Sequence, residues 1–135
     1  MQVVIPAAGM GSRLGHHTKN KTKCMVEVNG VTLIERALEI LIKKDISRIV
    51  LIVGYEKQSL IDLLGDSYKG VPIIYIHNDI YNRTNNIYSI FLAKKELVED
   101  DTLLLESDLI FDEKLIDLLI DNAFPNLAAV DKYQR

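Results

Sequence analysis

Three groups of residues in this 135-residue sequence could do chemistry on a phosphate. The first is Ala7-Ala8-Gly9-Met10-Gly11-Ser12-Arg13-Leu14-Gly15, directly after the apolar run Gln2-Val3-Val4-Ile5-Pro6. Small residues let a backbone approach a ligand closely. Successive amide N–H groups in such a turn form an anion-binding nest, and Arg13 adds a planar fork of donors suited to phosphate oxygens. The stretch reads as a triphosphate cradle at the carboxyl end of a first strand. The second group is Lys19, Lys21 and Lys23. A charge run is ordinarily a solvated face, and Lys19 and Lys21 fit that reading as well as a binding one. Lys23 differs, because it directly precedes Cys24-Met25-Val26, where the chain turns back toward the core. It could set its ammonium on a phosphate as a point charge. The third group is Glu106-Ser107-Asp108, after the apolar Leu103-Leu104-Leu105. A carboxylate there suits Mg²⁺, which takes hard oxygen ligands and keeps phosphate and water oxygens as well. The alternative for Asp108 is a helix cap or a loop carboxylate. Glu106 shares its side if strand geometry persists, and could ligate or orient water.

Other candidates are weaker. Gly9, Gly11 and Gly15 do not have the spacing of the dinucleotide fingerprint, and the Gly-Lys-Ser/Thr ending of a P-loop is absent. His16 and His17 are adjacent and His77 is remote, so no zinc-like spacing exists, and all three read as surface or loop residues. Cys24 has no identifiable base and reads as packing. Tyr75, Tyr81 and Tyr88 could wall a site with aromatic faces, which attract quaternary ammonium groups. Asn85 and Asn86 carry amides that could read a base.

The elements that must hold these residues alternate between strand and helix. Strands are predicted at 2–6, 48–53, 71–76 and 102–105, with the start of a fifth at 127–130. The unbroken apolarity of 49–53 suits a parallel strand covered on both faces. Pro72 is admissible at a strand start or edge. Helices are predicted over 31–43, with Thr32 and Glu35 as a capping box, over 57–64 before Gly65, over 87–97 with Asn86 as cap, and from the Asp112 cap to about Ile120. The polar stretch 77–85 is longer than an ordinary connection and reads as a binding loop. This alternation predicts an α/β protein, a three-layer α/β/α sandwich with a Rossmann-like, mostly parallel sheet. Ligands in such sheets sit beyond the carboxyl ends of the strands. There the glycine-rich loop, Tyr55 and Glu106-Ser107-Asp108 are expected to meet. The chain stops without the closing helix of a finished domain, so an incomplete domain is expected.

Composition is that of an ordinary globular domain, with 48% hydrophobic and 26% charged residues. The net charge of −3 argues against broad nucleic-acid binding. Apolar runs are strand-sized, which argues against a membrane span. One cysteine means no disulfide framework, and a cytoplasmic setting is expected.

The motif Ala7-Ala8-Gly9-Met10-Gly11-Ser12-Arg13-Leu14, followed by Thr18, Lys23, Val28-Asn29-Gly30 and Thr32-Leu33-Ile34, resembles the nucleotidyltransferase family of sugar-phosphate pyrophosphorylases and bacterial choline-phosphate cytidylyltransferases. Asn78-Asp79, Tyr81-Asn82-Arg83-Thr84-Asn85-Asn86-Ile87-Tyr88-Ser89 and Leu105-Glu106-Ser107-Asp108 look closer to the branch acting on phosphocholine or 2-aminoethylphosphonate. Thr22 departs from the proline that many members carry before the lysine. The resemblance implies that residues 1–135 are the N-terminal part of a nucleotidyltransferase domain, open to fusion with another enzyme domain. It implies transfer of CMP from CTP to a small amine-bearing phosphate or phosphonate, with Mg²⁺ as cofactor. It places Arg13, Lys23 and Asp108 in catalysis, with Asp108 on the metal. Ala7, Ala8, Gly9, Gly11, Ser12, Tyr55, Asn85 and Asn86 would hold the nucleotide, and Tyr81, Tyr88 and Glu106 the acceptor. A sugar- or polyol-phosphate acceptor, or a non-catalytic nucleotide-binding module, are the alternatives.

Overall fold

The computed structural model describes residues 1–10, 21–130 and 132. Gly11, Ser12 and Arg13, with the two adjacent histidines and Lys19, lie outside them. In chain order the elements are β1 (Gln2–Ala7), a 3-10 turn at Lys23–Met25, β2 (Glu27–Val28), β3 (Val31–Thr32), α1 (Leu33–Leu41), β4 (Ile49–Val53) and α2 (Lys57–Leu64). They continue with β5 (Ser67–Tyr68), β6 (Val71–His77), a 3-10 turn at Tyr81–Arg83, α3 (Asn86–Leu92), α4 (Lys94–Leu97), β7 (Thr102–Leu104) and α5 (Glu113–Ile120).

The main sheet has the order β5-β6-β4-β1-β7. β1 pairs in parallel with β4, Val3 opposite Ile49 through Ala7 opposite Val53, and with β7 on its other edge. β4 pairs in parallel with β6, and only β5 runs antiparallel. Both β1 and β4 are buried along their whole length, as the apolarity of Val3-Val4-Ile5 and of 49–53 requires. Val3, Ile5, Ile49 and Leu51 pack with Ile34, Leu38 and Leu41 of α1, Leu60 and Leu64 of α2, and Ile116 of α5. Val4, Val50 and Ile52 face the opposite way, onto Ala93 and Leu97. Helices therefore cover both faces, which is the three-layer α/β/α arrangement expected. Among the described residues no helix is long and apolar enough to cross a membrane.

The amino-terminal end of the sheet carries a buried polar network that has no signature in the sequence. Gln2 is fully buried. Its Nε2 donates to the Glu96 carbonyl at 2.6 Å and to Thr102 Oγ1 at 2.8 Å, and its Oε1 accepts from Arg48 Nε at 2.7 Å. One amide thus satisfies itself while tying β7, β4 and α4 to the first residue of β1, as a buried polar group must.

Local signals behave as their chemistry dictates. Thr32 Oγ1 accepts from the Glu35 N–H at 3.1 Å and donates to Glu35 Oε1 at 2.8 Å. The cap is present, but the carboxylate closes on the hydroxyl instead of on the cap's own N–H. Asn29 and Gly30 both have positive φ and turn a short hairpin between β2 and β3, so residues 31 and 32 precede the helix. Asn85, not Asn86, caps α3, its side chain accepting from the Tyr88 N–H, and the predicted 87–97 helix is broken at Ala93 into α3 and α4. Asp112 caps α5 as expected. Leu118 of α5 is exposed, while Ile116 of the same helix is buried. Leu127 to Val130 forms no strand and is exposed; it pairs with no other described residues, and an extended segment needs a ladder to satisfy its backbone. His77 ends β6 and is not in a loop.

Cys24 is fully buried, with its Sγ 2.9 Å from Thr22 Oγ1. Burial pushes its thiol up to about 11, against the weaker opposing effect of the Thr22 hydrogen bond. The folded state holds the proton more tightly than the unfolded one, so this contribution to stability is full below the ordinary value of 9.0 and is lost as pH rises toward 11. The thiolate is the reactive form. Iodoacetamide at about pH 8 is therefore expected to leave Cys24 unmodified in the native protein and to alkylate it after unfolding in urea. Mass spectrometry reads the outcome, and fast native alkylation would contradict the packing role.

Candidate functional site

The strand order places β4 and β6 on one side of β1 and β7 on the other. The carboxyl ends of β1 and β7 therefore flank the point where the winding reverses, which is where such sheets bind ligands. Ala8-Gly9 leaves β1 there and Glu106-Ser107-Asp108 leaves β7. Sheet pairing persists just past both strands: the Leu105 N–H donates to the Val4 carbonyl at 3.0 Å and the Tyr55 N–H to the Ala8 carbonyl at 3.1 Å. Gly9 and Met10 are exposed.

Lys23 and Asp108 meet at this point, Nζ to Oδ2 at 3.0 Å. The burial of Cys24 in the main core anchors the 3-10 turn that carries Lys23. Both side chains are about one-third exposed, 33% and 36%. A pair so exposed is worth about 0.2–1 kcal/mol, so a ligand that offers each group a better partner can open it. Glu106 goes elsewhere. Its Oε2 accepts from Asn86 Nδ2 at 3.0 Å. The two carboxylates therefore serve separate partners. Among the described residues no group of three or more His, Cys, Asp or Glu gathers to hold a metal. A single carboxylate nevertheless fits Mg²⁺, which is bound through one or two carboxylates with substrate phosphates and water completing the shell. Asp108 is the residue that could hold it.

The opposite wall is the loop between β6 and α3. Asn78 is buried and acts as its hub. Its N–H donates to the Val53 carbonyl at 2.8 Å, its Nδ2 to Thr84 Oγ1 and Ser89 Oγ, both at 3.1 Å, and its Oδ1 accepts from the Ile80 N–H. Thr84 Oγ1 in turn donates to the Ile80 carbonyl at 2.9 Å. Ala8, Gly9, Asn78, Tyr81, Thr84, Asn85, Asn86 and Ser89 line a small cleft of about 30 Å³. A larger, open hollow of about 480 Å³ lies along Lys114, Asp117, Leu118, Asp121 and Asn122. None of the candidate residues lines it, and its polar groups are partly engaged by the Lys44–Asp117 pair.

Tyr55 and Tyr81 form an edge-to-face pair, ring centroids 6.0 Å apart. Tyr81 is pressed on Gly54: a Cβ at Gly54 would stand 2.8 Å from Tyr81 Cβ, 3.0 Å from Ala8 Cβ and 3.0 Å from the Asn78 carbonyl oxygen. The aromatic wall thus differs from the one expected. Tyr75 is not part of it, since its hydroxyl donates to the Gly65 carbonyl at 2.6 Å and its ring packs against the main core. Tyr88 packs against Phe91 on α3. Asp79 pairs with Lys57 of α2 at 3.5 Å. Of the expected site residues, Ala8, Gly9, Tyr81, Asn85 and Asn86 share one cleft, Lys23 and Asp108 share one ion pair, and Ala7 is buried in β1. Asn78 and Thr84 fall in the expected 77–85 loop, but the hub role of Asn78, the lining of the cleft by Ser89 and the close packing at Gly54 were not read from the sequence. The Asn78 side chain bonding to the N–H two residues on is an Asx turn, a pattern that asparagine after an apolar strand makes readable.

Fold and site together define a Rossmann-like α/β protein with its polar groups gathered at the switch point. The chain belongs to the MobA-like NTP transferase domain family, which matches residues 3–135. It is 44% identical over 97 residues to the choline-phosphate cytidylyltransferase of Streptococcus pneumoniae, covering 72% of this chain and 41% of that protein. The solved CTP:phosphocholine cytidylyltransferase from the same organism superposes with a TM-score of 0.68 and 39% identity, covering 79% of this chain and 44% of that one. It is 33% identical over 130 residues to the CMP-5'-(3-aminopropyl)phosphonate synthase of Streptomyces rubellomurinus, covering 96% of this chain and 20% of that protein. It is 34% identical over 119 residues to a UTP–glucose-1-phosphate uridylyltransferase of Haloferax volcanii, covering 88% and 48%. The chain thus spans less than half the length of each of these relatives.

The contact at Gly54 is testable. Gly54→Ala would have to push Tyr81, Ala8 or the Asn78 carbonyl aside, a cost of about 1–3 kcal/mol for overpacking. Gly9→Ala, where an added Cβ meets nothing within 4 Å, is expected to be near neutral in stability. Urea denaturation of the two variants measures the difference, and equal midpoints would show that the loop yields freely.

Proposed function

We propose that the chain carries the nucleotide-holding part of a cytidylyltransferase, which transfers CMP from CTP to a small amine-bearing phosphate or phosphonate and releases pyrophosphate. The observation that carries the reading is the Lys23–Asp108 pair at 3.0 Å, set at the switch point beside the loop that leaves β1. Lysine is a partner for phosphate and aspartate a ligand for the metal that accompanies it. An ion pair between them holds both groups in place until a nucleotide with Mg²⁺ takes over each one.

In this reaction an oxygen of the acceptor phosphate or phosphonate attacks the α-phosphorus of CTP. The bond from that phosphorus to the bridging oxygen breaks, and the pair of electrons leaves with pyrophosphate. No protein nucleophile is needed. Catalysis is alignment and charge neutralisation. Lys23, with Arg13 as its proposed partner, draws charge onto the departing pyrophosphate. Ala8, Gly9, Gly11 and Ser12 supply the backbone approach to the phosphates. Mg²⁺ held by Asp108 would supply Lewis-acid neutralisation of the phosphoryl oxygens. Tyr55 and Tyr81 offer aromatic edges and faces to a cationic head group, with Tyr88 and Glu106 as further acceptor contacts. The cytidylyl relatives support this acceptor class. The second reading, a sugar- or polyol-phosphate nucleotidyltransferase, is favoured by the likeness to the Haloferax uridylyltransferase. A non-catalytic nucleotide-binding module is the remaining alternative.

Titration of the chain with CTP, UTP, ATP and GTP in Mg²⁺ tests the reading first, with CTP expected to bind best. Failure of all four to bind would remove it. Pyrophosphate release with phosphocholine, 2-aminoethylphosphonate and glucose 1-phosphate then separates enzyme from binder and one acceptor class from the other. Asp108→Asn is expected to unfold at nearly the same temperature as the parent chain, because it gives up only an exposed ion pair. Where turnover is measurable, it and Lys23→Ala should each lower it by about 10²-fold or more, the loss typical of one transition-state contact. Lys21→Ala should change it little. Parental rates in both variants would show that these groups do not touch the phosphates.

A further inference from the structure

The two adjacent asparagines at the start of α3 are each committed at one end. Asn85 Oδ1 accepts the Tyr88 N–H as the helix cap, so the group it has left to offer is its NH₂, a donor. Asn86 Nδ2 donates to Glu106 Oε2 at 3.0 Å. A carboxylate can only accept, so Glu106 fixes which end of the Asn86 amide faces it. Among the described residues the Asn86 Oδ1 has no hydrogen-bond donor, and it is the acceptor left to offer. Both side chains line the cleft beside Ala8 and Gly9.

We propose that Glu106 and the α3 cap together polarise Asn85 and Asn86 into a donor–acceptor pair that reads the amino edge of a base. Cytosine presents an exocyclic amino donor beside a ring-nitrogen acceptor. Uracil presents a carbonyl oxygen and a ring N–H at the same positions, so each partner would meet its like. Glu106 is a positioning residue here: it sets base preference through Asn86 without touching the base. The pair is exposed in the free protein, and a bound base that excludes water from it makes the fixed orientation count for more. The inference rests on the cytidylyltransferase reading and adds to it the residue that would enforce nucleotide choice. A primary ammonium on the acceptor is the other N–H donor that the Asn86 oxygen could take.

The test uses Glu106→Gln. A glutamine side chain can donate as well as accept, so the Asn86 amide is free to turn over. Calorimetric titration with CTP and with UTP, in Mg²⁺, is run on the chain, on E106Q and on Asn86→Ala, with thermal melts confirming that both variants fold. The parent chain is expected to prefer CTP, and both variants to lose about tenfold or more of that preference, the worth of one hydrogen bond exchanged for a mismatch. A CTP preference that survives in E106Q overturns the role of Glu106 while leaving the cytidylyltransferase reading standing. No nucleotide binding by the parent chain removes that reading and this inference with it. In a further titration with 2-aminoethylphosphonate, a response of E106Q confined to that acceptor, with the CTP to UTP ratio unchanged, places Glu106 on the acceptor alone and overturns its role in base reading.

Discussion

The structure depends on one strand being enclosed on all four sides. β1 has helical layers above and below it, β4 along one edge and β7 along the other. Its backbone groups have partners from the Gln2 N–H, which reaches the Asp101 carbonyl, to the Ala8 carbonyl, which takes the Tyr55 N–H. One end is locked by the Gln2 side chain. The other opens abruptly, since Ala8 is buried and Gly9 is exposed. A buried, fully paired strand has no freedom to move, so whatever follows it starts from a fixed point.

The same logic explains why the wall opposite can stand so close. The β4 chain leaves the sheet at Gly54, and the absence of a side chain there lets Tyr81, Ala8 and the Asn78 carbonyl all close in on that one backbone position. Asn78 then spends its whole amide on the loop and on Ser89 of α3. The β6–α3 loop is held by side-chain hydrogen bonds. Its shape is therefore specified without a core beneath it, and its exposed amides and tyrosines are left for contact.

Much of this was legible in the sequence. Residues 49–53 announce a doubly covered strand by their apolarity, Thr32, Asp112 and Gly65 mark helix ends by local chemistry, and the alternation of elements dictates the layered sheet. The hairpins at Asn29-Gly30 and Lys69-Gly70 add strands that the expected elements do not include, because two-residue strands have too little pattern to see. Asn85 takes the cap expected of Asn86, since either amide can cap and the two are adjacent. Gln2 and Gly54 were invisible for a deeper reason. Their roles come from neighbours 46 to 100 residues away for Gln2 and across three elements for Gly54, and no local window contains such partners. The apolar run 127–130 misled in the opposite sense, because propensity to extend does not supply a strand to pair with.

The charged groups of the site are engaged with protein partners, and this shapes how a ligand must bind. Lys23 holds Asp108 and Glu106 holds Asn86. A ligand that met only Lys23 would strand the Asp108 carboxylate, and a cation that met only Asp108 would strand the lysine. Each single exchange gives up an ion pair to gain one contact. A polyanion arriving with its own cation replaces both partners at once, so the pair penalises partial ligands and is neutral toward complete ones. Since the pair is worth only about 0.2–1 kcal/mol at this exposure, the penalty is a bias and not a lock. Under the proposed function that bias would favour nucleotide–metal complexes over free phosphate or free metal.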